Sequence, residues 1–136
     1  MDSFLGRYSG YIYAIFRIVF GFLFMLHGTQ KMFGWPPAKQ AGGELAGLIL
    51  VAAIIEVVCG FLVMIGFFSG FAAFLASGMM AVAYFMVHQP LGALPIMNGG
   101  ESAVLFCFGF LYIAANGSGM LSVDGMMKGS RATSDG

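Results

Sequence analysis

Four long apolar runs dominate this chain: about Tyr11 to Phe33, Leu45 to Phe67, Ser69 to His88, and Glu101 to Ala115. A helix needs ~20 mostly apolar residues to cross the ~30 Å hydrocarbon layer of a bilayer. Lipid offers no partner to a backbone N–H or C=O, so spanning segments are helices or closed barrels. The period-2 alternation of barrel strands is absent from these runs. The sequence therefore predicts an all-α fold, a four-helix transmembrane bundle with up-down topology and both termini on the same side. The fourth run is the shortest and draws on Gly99-Gly100 or Asn116 to reach across.

Composition leads to the same solvent. Apolar residues make up 60% of the 136, and charged residues 9%. A soluble domain carries about 25% charge to cover its surface. Six basic and six acidic residues give a net charge of zero. No basic stripe exists to follow a phosphate backbone, which excludes nucleic acid as a partner. The expected partner is the lipid bilayer.

Residues 1–127 read as one membrane domain, and 128–136 as a small, polar, disordered tail. The first run is expected to be a retained span rather than a signal peptide. It carries Arg17 in its first half, and no small-residue cleavage site follows. Gly34-Trp35-Pro36-Pro37 ends it, with Trp35 suited to the membrane interface. Arg7, Lys128 and Arg131 on the terminal side outnumber Lys39 and Lys31 near the first loop, which favours cytoplasmic termini.

Cys59 and Cys107 lie in apolar runs without a CxxC, and read as small hydrophobes. His27 and His88 are not at zinc-ligand spacing with them, so no metal site is expected. A P-loop, GxGxxG, CxxCH or Ser-His-Asp set is also missing, and catalytic residues stay unknown.

The informative polar residues sit inside the apolar runs. In the first, Ala14, Arg17, Gly21, Phe24, Gly28 and Lys31 alternate at three and four, so they share one face, with His27 at its margin. Small and cationic residues on one face point into a bundle. Ala52, Glu56, Cys59, Gly60 and Val63 form the matching face of the second run. Ser69, Ala73, Ser77 and Ala81 do so in the third, continuing near Tyr84 and His88, and Glu101, Leu105, Phe108 and Tyr112 in the fourth. A charge at the bilayer centre costs about 2.5–3.5 kcal/mol on insertion scales. Glu56, near the middle of its run, therefore needs a partner, and depth along the helices nominates Arg17, with His27 as the rival. Two roles stay open for such a pair: fixing helix register, or holding a proton or ligand. Asn98-Gly99-Gly100-Glu101 reads as a capping box at the start of the fourth helix, with glycines that also admit a close ligand. Asp124, following Ser122, suits the cap of a short surface helix.

Residues RIVFGFLFMLHGTQKMFG (Arg17–Gly34), AAIIEVVCGFLVMIGFFSGFAA (Ala52–Ala73), PIMNGGESAVLF (Pro95–Phe106) and NGSGMLSVDG (Asn116–Gly125) resemble the DoxX family in order and spacing. The resemblance implies a small four-helix integral protein of a bacterial or archaeal inner membrane, associated with a membrane oxidoreductase system. It implies oxidoreductase partner subunits and a quinone as the candidate cofactor; the small number of helices in 136 residues separately leaves room for a homo-oligomer. The family's polar positions correspond to Arg17, His27, Gly28, Lys31, Glu56, Gly60, Asn98, Gly99, Gly100, Glu101 and Asp124. Ser69 departs from the basic residue common in members near that point. The candidate pocket is Arg17, His27, Lys31, Glu56, Asn98 and Glu101, for a quinone-like or small anionic ligand. The alternative is a non-catalytic scaffold or assembly factor whose buried charges set helix packing.

Overall fold

The computed structural model describes residues 3–37 and 47–134, with side chains through Gly129. Among the described residues all regular structure is helical. After a 3-10 turn at Gly6–Tyr8, α1 runs Ser9–Phe33 and stops at Gly34, whose φ of 69° suits a residue without Cβ. Helix α2 spans Leu48–Ile65 and ends the same way at Gly66, φ 75°. Its last carbonyls are satisfied by the N–H groups of Gly66 and Phe67, both bonded to Leu62. Only Gly66, Phe67 and Phe68 separate it from α3, Ser69–Ala83. A π-helical turn at Tyr84–His88 and a 3-10 turn at Gln89–Leu91 continue α3. A four-residue α4 (Pro95–Asn98) leads into α5 (Glu101–Asn116), and α6 covers Val123–Ser134.

Three helical stretches are long and apolar enough to cross a membrane: Gly6–Phe33 (28 residues), Leu48–Ile65 (18) and Ser69–Leu91 (23). Helix α5 is apolar but has 16 residues, ~24 Å at 1.5 Å per residue. The outward surfaces carry Ile15, Val19, Phe22, Phe71 and Phe74, a coat that only lipid would solvate well.

Two helix pairs form the scaffold, α1 with α2 and α3 with α5. In the first, Arg17 lies against Val63 and Met64, Gly21 against Gly60, and Gly28 against Ala53. In the second, Gly70 lies against Ala114, Ser77 against Cys107, and Tyr84 against Gly100. Contacts recur at steps of four and seven residues in the first pair and of seven in the second, with the partner running the other way, so both pairs are antiparallel seams that include small side chains. Phe24, Val63, Ala73, Ala76, Phe110 and Ile113 fill the core between the pairs. Phe20 and Phe24 meet Phe106 and Phe110 there edge to face or tilted, at 4.6–5.5 Å, and Phe106 stacks on Phe110 at 5.9 Å.

The predicted face of α1 is the buried one: Ala14, Arg17, Gly21, Phe24 and Gly28. On α2 the buried set is Ala53, Glu56, Cys59, Gly60 and Val63, with Ala53 in place of Ala52. Helix α3 buries Ser69, Ala73 and Ser77 as expected, and adds Ala72, Ala76 and Met80. On α5 the expectation fails. Glu101, Leu105, Phe108 and Tyr112 are all exposed, and Ala103, Phe110 and Ile113 face inward. Polarity at the two ends of α5 misled the assignment, because the core selects shape there, and Ala103, Phe110 and Ile113 supply it.

The chain after α5 folds back on the α2–α3 turn. The Asp124 N–H donates to the Gly66 carbonyl at 3.0 Å, and Asp124 Oδ2 accepts the Phe68 N–H (3.0 Å) and the Ser118 hydroxyl (2.6 Å). The cap of α6 is therefore Ser122, whose Oγ accepts the Gly125 N–H at 3.0 Å, and Asp124 ties α6 to the bundle instead. The backbone is helical from Lys128 to Ser134, where composition alone led to a disordered tail.

Ser77 tests the α3–α5 seam. Its hydroxyl donates to the Cys107 carbonyl at 2.7 Å, and the residue is 5% exposed. Ser77→Ala is expected to lower stability by about 0.6–1.5 kcal/mol, readable in denaturant unfolding in mild detergent.

Candidate functional site

The acid at position 56 has a partner, and it is neither of the two nominated by depth. Lys31 Nζ lies 2.7 Å from Glu56 Oε1. The carboxylate side chain is 3% exposed and the lysine 40%. Glu56 Oε2 is buried with no hydrogen-bond partner.

Side-chain lean explains the choice. A helical Cα–Cβ bond tilts toward the helix N-terminus. In an antiparallel pair, Lys31 near the end of α1 leans back into the bundle, while Glu56 leans toward the start of α2, where Lys31 lies. The two converge. Arg17 leans the same way as Lys31, toward the start of α1, but from its position that carries it away from Glu56 and toward the end of α2. Its Nη1 donates to the carbonyls of Val63 (2.8 Å) and Met64 (3.1 Å), and Nη2 to those of Met120 (3.2 Å) and Leu121 (2.8 Å). Arg17 is fully buried, and its guanidinium joins α1, the end of α2 and the segment before α6. It belongs to the scaffold, apart from Glu56.

The remaining candidates divide. His27 is exposed on the flank of α1 and sets its ring edge-on to Phe106, 5.7 Å between centroids. Asn98 is 5% exposed and wholly engaged: its amide donates to the Tyr84 hydroxyl and the Gly92 carbonyl, both at 3.1 Å, and its Oδ1 accepts the Gly100 N–H at 2.8 Å. The capping box does not form. Gly100 is the residue before α5, Asn98 ends α4, and Glu101 is exposed on the first turn without a side-chain cap bond. Helix α5 starts two residues later than the motif requires, with Gly100 rather than Asn98 before its first residue, and Asn98 Oδ1 meets the N–H two residues on rather than three.

His27, Lys31 and Glu56 line one groove of about 650 Å³ at the end of the bundle where α1 finishes and α2 begins. Its walls are apolar, built from Phe24, Ile55, Met79, Met80 and Phe106 among others. Two further polar residues line it, His88 and Ser102, which the sequence reading left out of the site. His88 continued the polar row of α3 and looked interfacial. The π-helical turn that carries it resets its bearing around the helix, and no residue in YFMVH marks such a turn. Arg17, Asn98 and Glu101 are not among the lining residues.

The groove pairs its cation with its carboxylate at one end and is apolar elsewhere. Such a cavity suits an amphiphile with a compact polar head and an apolar body. A second cavity of about 650 Å³ lies at the other end, beside Phe67, Phe68, Asn116 and Asp124. Its acid is already spent on Phe68 and Ser118.

The family model described as DoxX matches residues 12–89, a span that holds Arg17, His27, Lys31, Glu56 and His88 but neither Asn98 nor Glu101. An uncharacterized protein of Haemophilus influenzae is 41% identical over 125 residues, covering 88% of this chain and 93% of that protein. No solved structure matches the chain.

Proposed function

Because this chain belongs to the DoxX family of membrane proteins, we propose that it is an accessory subunit of a membrane oxidoreductase system that receives a quinone-like ligand in the groove beside Lys31 and Glu56. Helix α5 serves as a fourth span, giving an up-down bundle in a bacterial or archaeal inner membrane with both termini cytoplasmic. The heptad seam along α3 supports that role for α5. The orientation rests on Arg7, Lys128 and Arg131, since Lys31 is engaged by Glu56 and Lys39 lies outside the described residues.

The observation that carries the reading is the Lys31–Glu56 pair lining an apolar groove, with one buried carboxylate oxygen unpartnered. A buried acceptor without a partner costs free energy that a ligand hydroxyl would recover. The apolar walls fit a ring and tail, and the pair and imidazoles fit a small polar head. A small anion fits less well, because the ammonium it needs already faces a carboxylate. Quinone, when bound, supplies the electron chemistry; this chain's residues hold its head, shield it from water and offer sites for protons. Partner subunits exchange the electrons.

A second reading draws on Arg17. Its four main-chain acceptors show buried charge used to fix packing, as a scaffold or assembly factor would use it. The two readings separate in one experiment. Protein in nanodiscs is titrated with a decyl-benzoquinone and its hydroquinone while thermal unfolding is followed. The site reading expects stabilisation that grows with ligand, and a loss of affinity of at least about tenfold in Lys31→Met/Glu56→Gln, where head-group contacts worth about 1.4 kcal/mol or more are removed. No shift at any concentration of either form leaves the scaffold.

A further inference from the structure

Hydrogen-bond roles in the groove point to which redox form it holds. His88 closes the π-helical turn, with its ring near-parallel to Tyr84. Its Nδ1 lies 3.3 Å from the main-chain oxygen of Asn98. A carbonyl oxygen only accepts, so Nδ1 donates, and a ring that carries its single proton there has its lone pair on Nε2. The arrangement is braced, since Asn98 is bonded to Tyr84, Gly92 and Gly100. Asn98 is thus a positioning residue for His88. On the facing helix Glu56, which lines the same groove, accepts Lys31 through Oε1, while its buried Oε2 has no partner.

Two acceptors from different helices therefore line one groove. Lys31 keeps two more N–H groups, but its side chain is 40% exposed, where water and lipid headgroups accept them. His27 makes no hydrogen bond among the described residues and can take either role.

We propose that the groove selects the reduced, hydroxyl-bearing form of a quinone-like ligand over the oxidised form, through Glu56 Oε2 and His88 Nε2. This rests on the quinone-like reading of the groove. A hydroquinone brings two O–H donors to these two acceptors. A quinone brings two carbonyl oxygens, which leave both protein acceptors unpaired and desolvated.

The test is anaerobic calorimetry on the full chain in nanodiscs with three probes: decyl-benzoquinone, decyl-hydroquinone, and the dimethyl ether of the latter, which keeps the ring and tail but has no O–H. The hydroquinone is expected to bind at least about tenfold more tightly than either other probe, the discrimination of one well-made buried hydrogen bond. His88→Phe and Glu56→Gln are each expected to bring the ratio toward one. Equal binding, or tighter quinone, in the wild type overturns the selection and leaves the groove reading standing. Failure of all three probes to bind overturns both. The wild-type comparison decides even where a variant does not fold.

Discussion

Arg17→Met is expected to destabilise the bundle by about 2–3 kcal/mol, the upper part of the range for leaving buried acceptors without their donor. Methionine fills a similar volume, so the loss isolates the guanidinium. Four carbonyls lose their donor: Val63 and Met64 at the end of α2, Met120 and Leu121 before α6. In the last turn of α2 the Val63 carbonyl keeps the Gly66 N–H at 3.2 Å, so the Met64 carbonyl depends more heavily on the guanidinium. Thermal unfolding in mild detergent should show a drop on the order of 10 °C. Arg17→Lys keeps the charge but not the fork, and one ammonium cannot serve carbonyls on two segments. It should recover less than half of the loss. A shift under about 2 °C for Arg17→Met would mean that the carbonyls find other donors, and that this arginine is no staple. Hydrogen exchange should report the loss first at the Gly66–Asp124 contact, because that junction lies beside the guanidinium.

What could be read ahead follows from what spacing encodes. Alternation at three and four located the buried stripe of α1 from Ala14 to Gly28, because those residues must turn together around one helix. Gly60 and Glu56 on α2 were legible for the same reason. Partnership was not. Depth along an axis put Arg17 and Glu56 within reach, but side chains lean toward their own N-terminus, and in an antiparallel pair that lean carries Arg17 away from Glu56 while it brings Lys31 toward it. His88 was hidden for another reason. Its bearing depends on a π-helical turn, and Tyr84–His88 contains no proline or glycine to announce one. Asn98 and Glu101 looked like a cap because the motif letters match, yet Gly99 at φ 72° closes α4 and α5 starts two residues later than a box allows.

Gly21→Leu is expected to cost at least about 3 kcal/mol, the upper range for forcing extra atoms into a packed seam. A Cβ at Gly21 would stand 2.6 Å from both the Gly60 carbonyl oxygen and the Met64 nitrogen. Both are backbone atoms of α2, so no side-chain rotation relieves the clash and the helices must separate. Gly60 reciprocates, with its Cβ position 2.7 Å from the Met25 nitrogen. Gly78→Leu is the control: it faces outward with no atom within 4 Å, and an added side chain meets lipid. That variant should unfold within about 0.5 kcal/mol of wild type, as surface changes usually do. The seam also reaches the groove. Lys31 sits one turn beyond Gly28, whose Cβ position is 2.7 Å from the Ala53 carbonyl, and the Lys31–Glu56 contact is 2.7 Å. Moving α1 off α2 by 1–2 Å, about the width a side chain needs, would open that contact past hydrogen-bond range. Gly21→Leu should therefore lose hydroquinone binding along with stability, while Gly78→Leu keeps both. Retained binding in a folded Gly21→Leu protein would show that the pair does not depend on the close approach of the two helices.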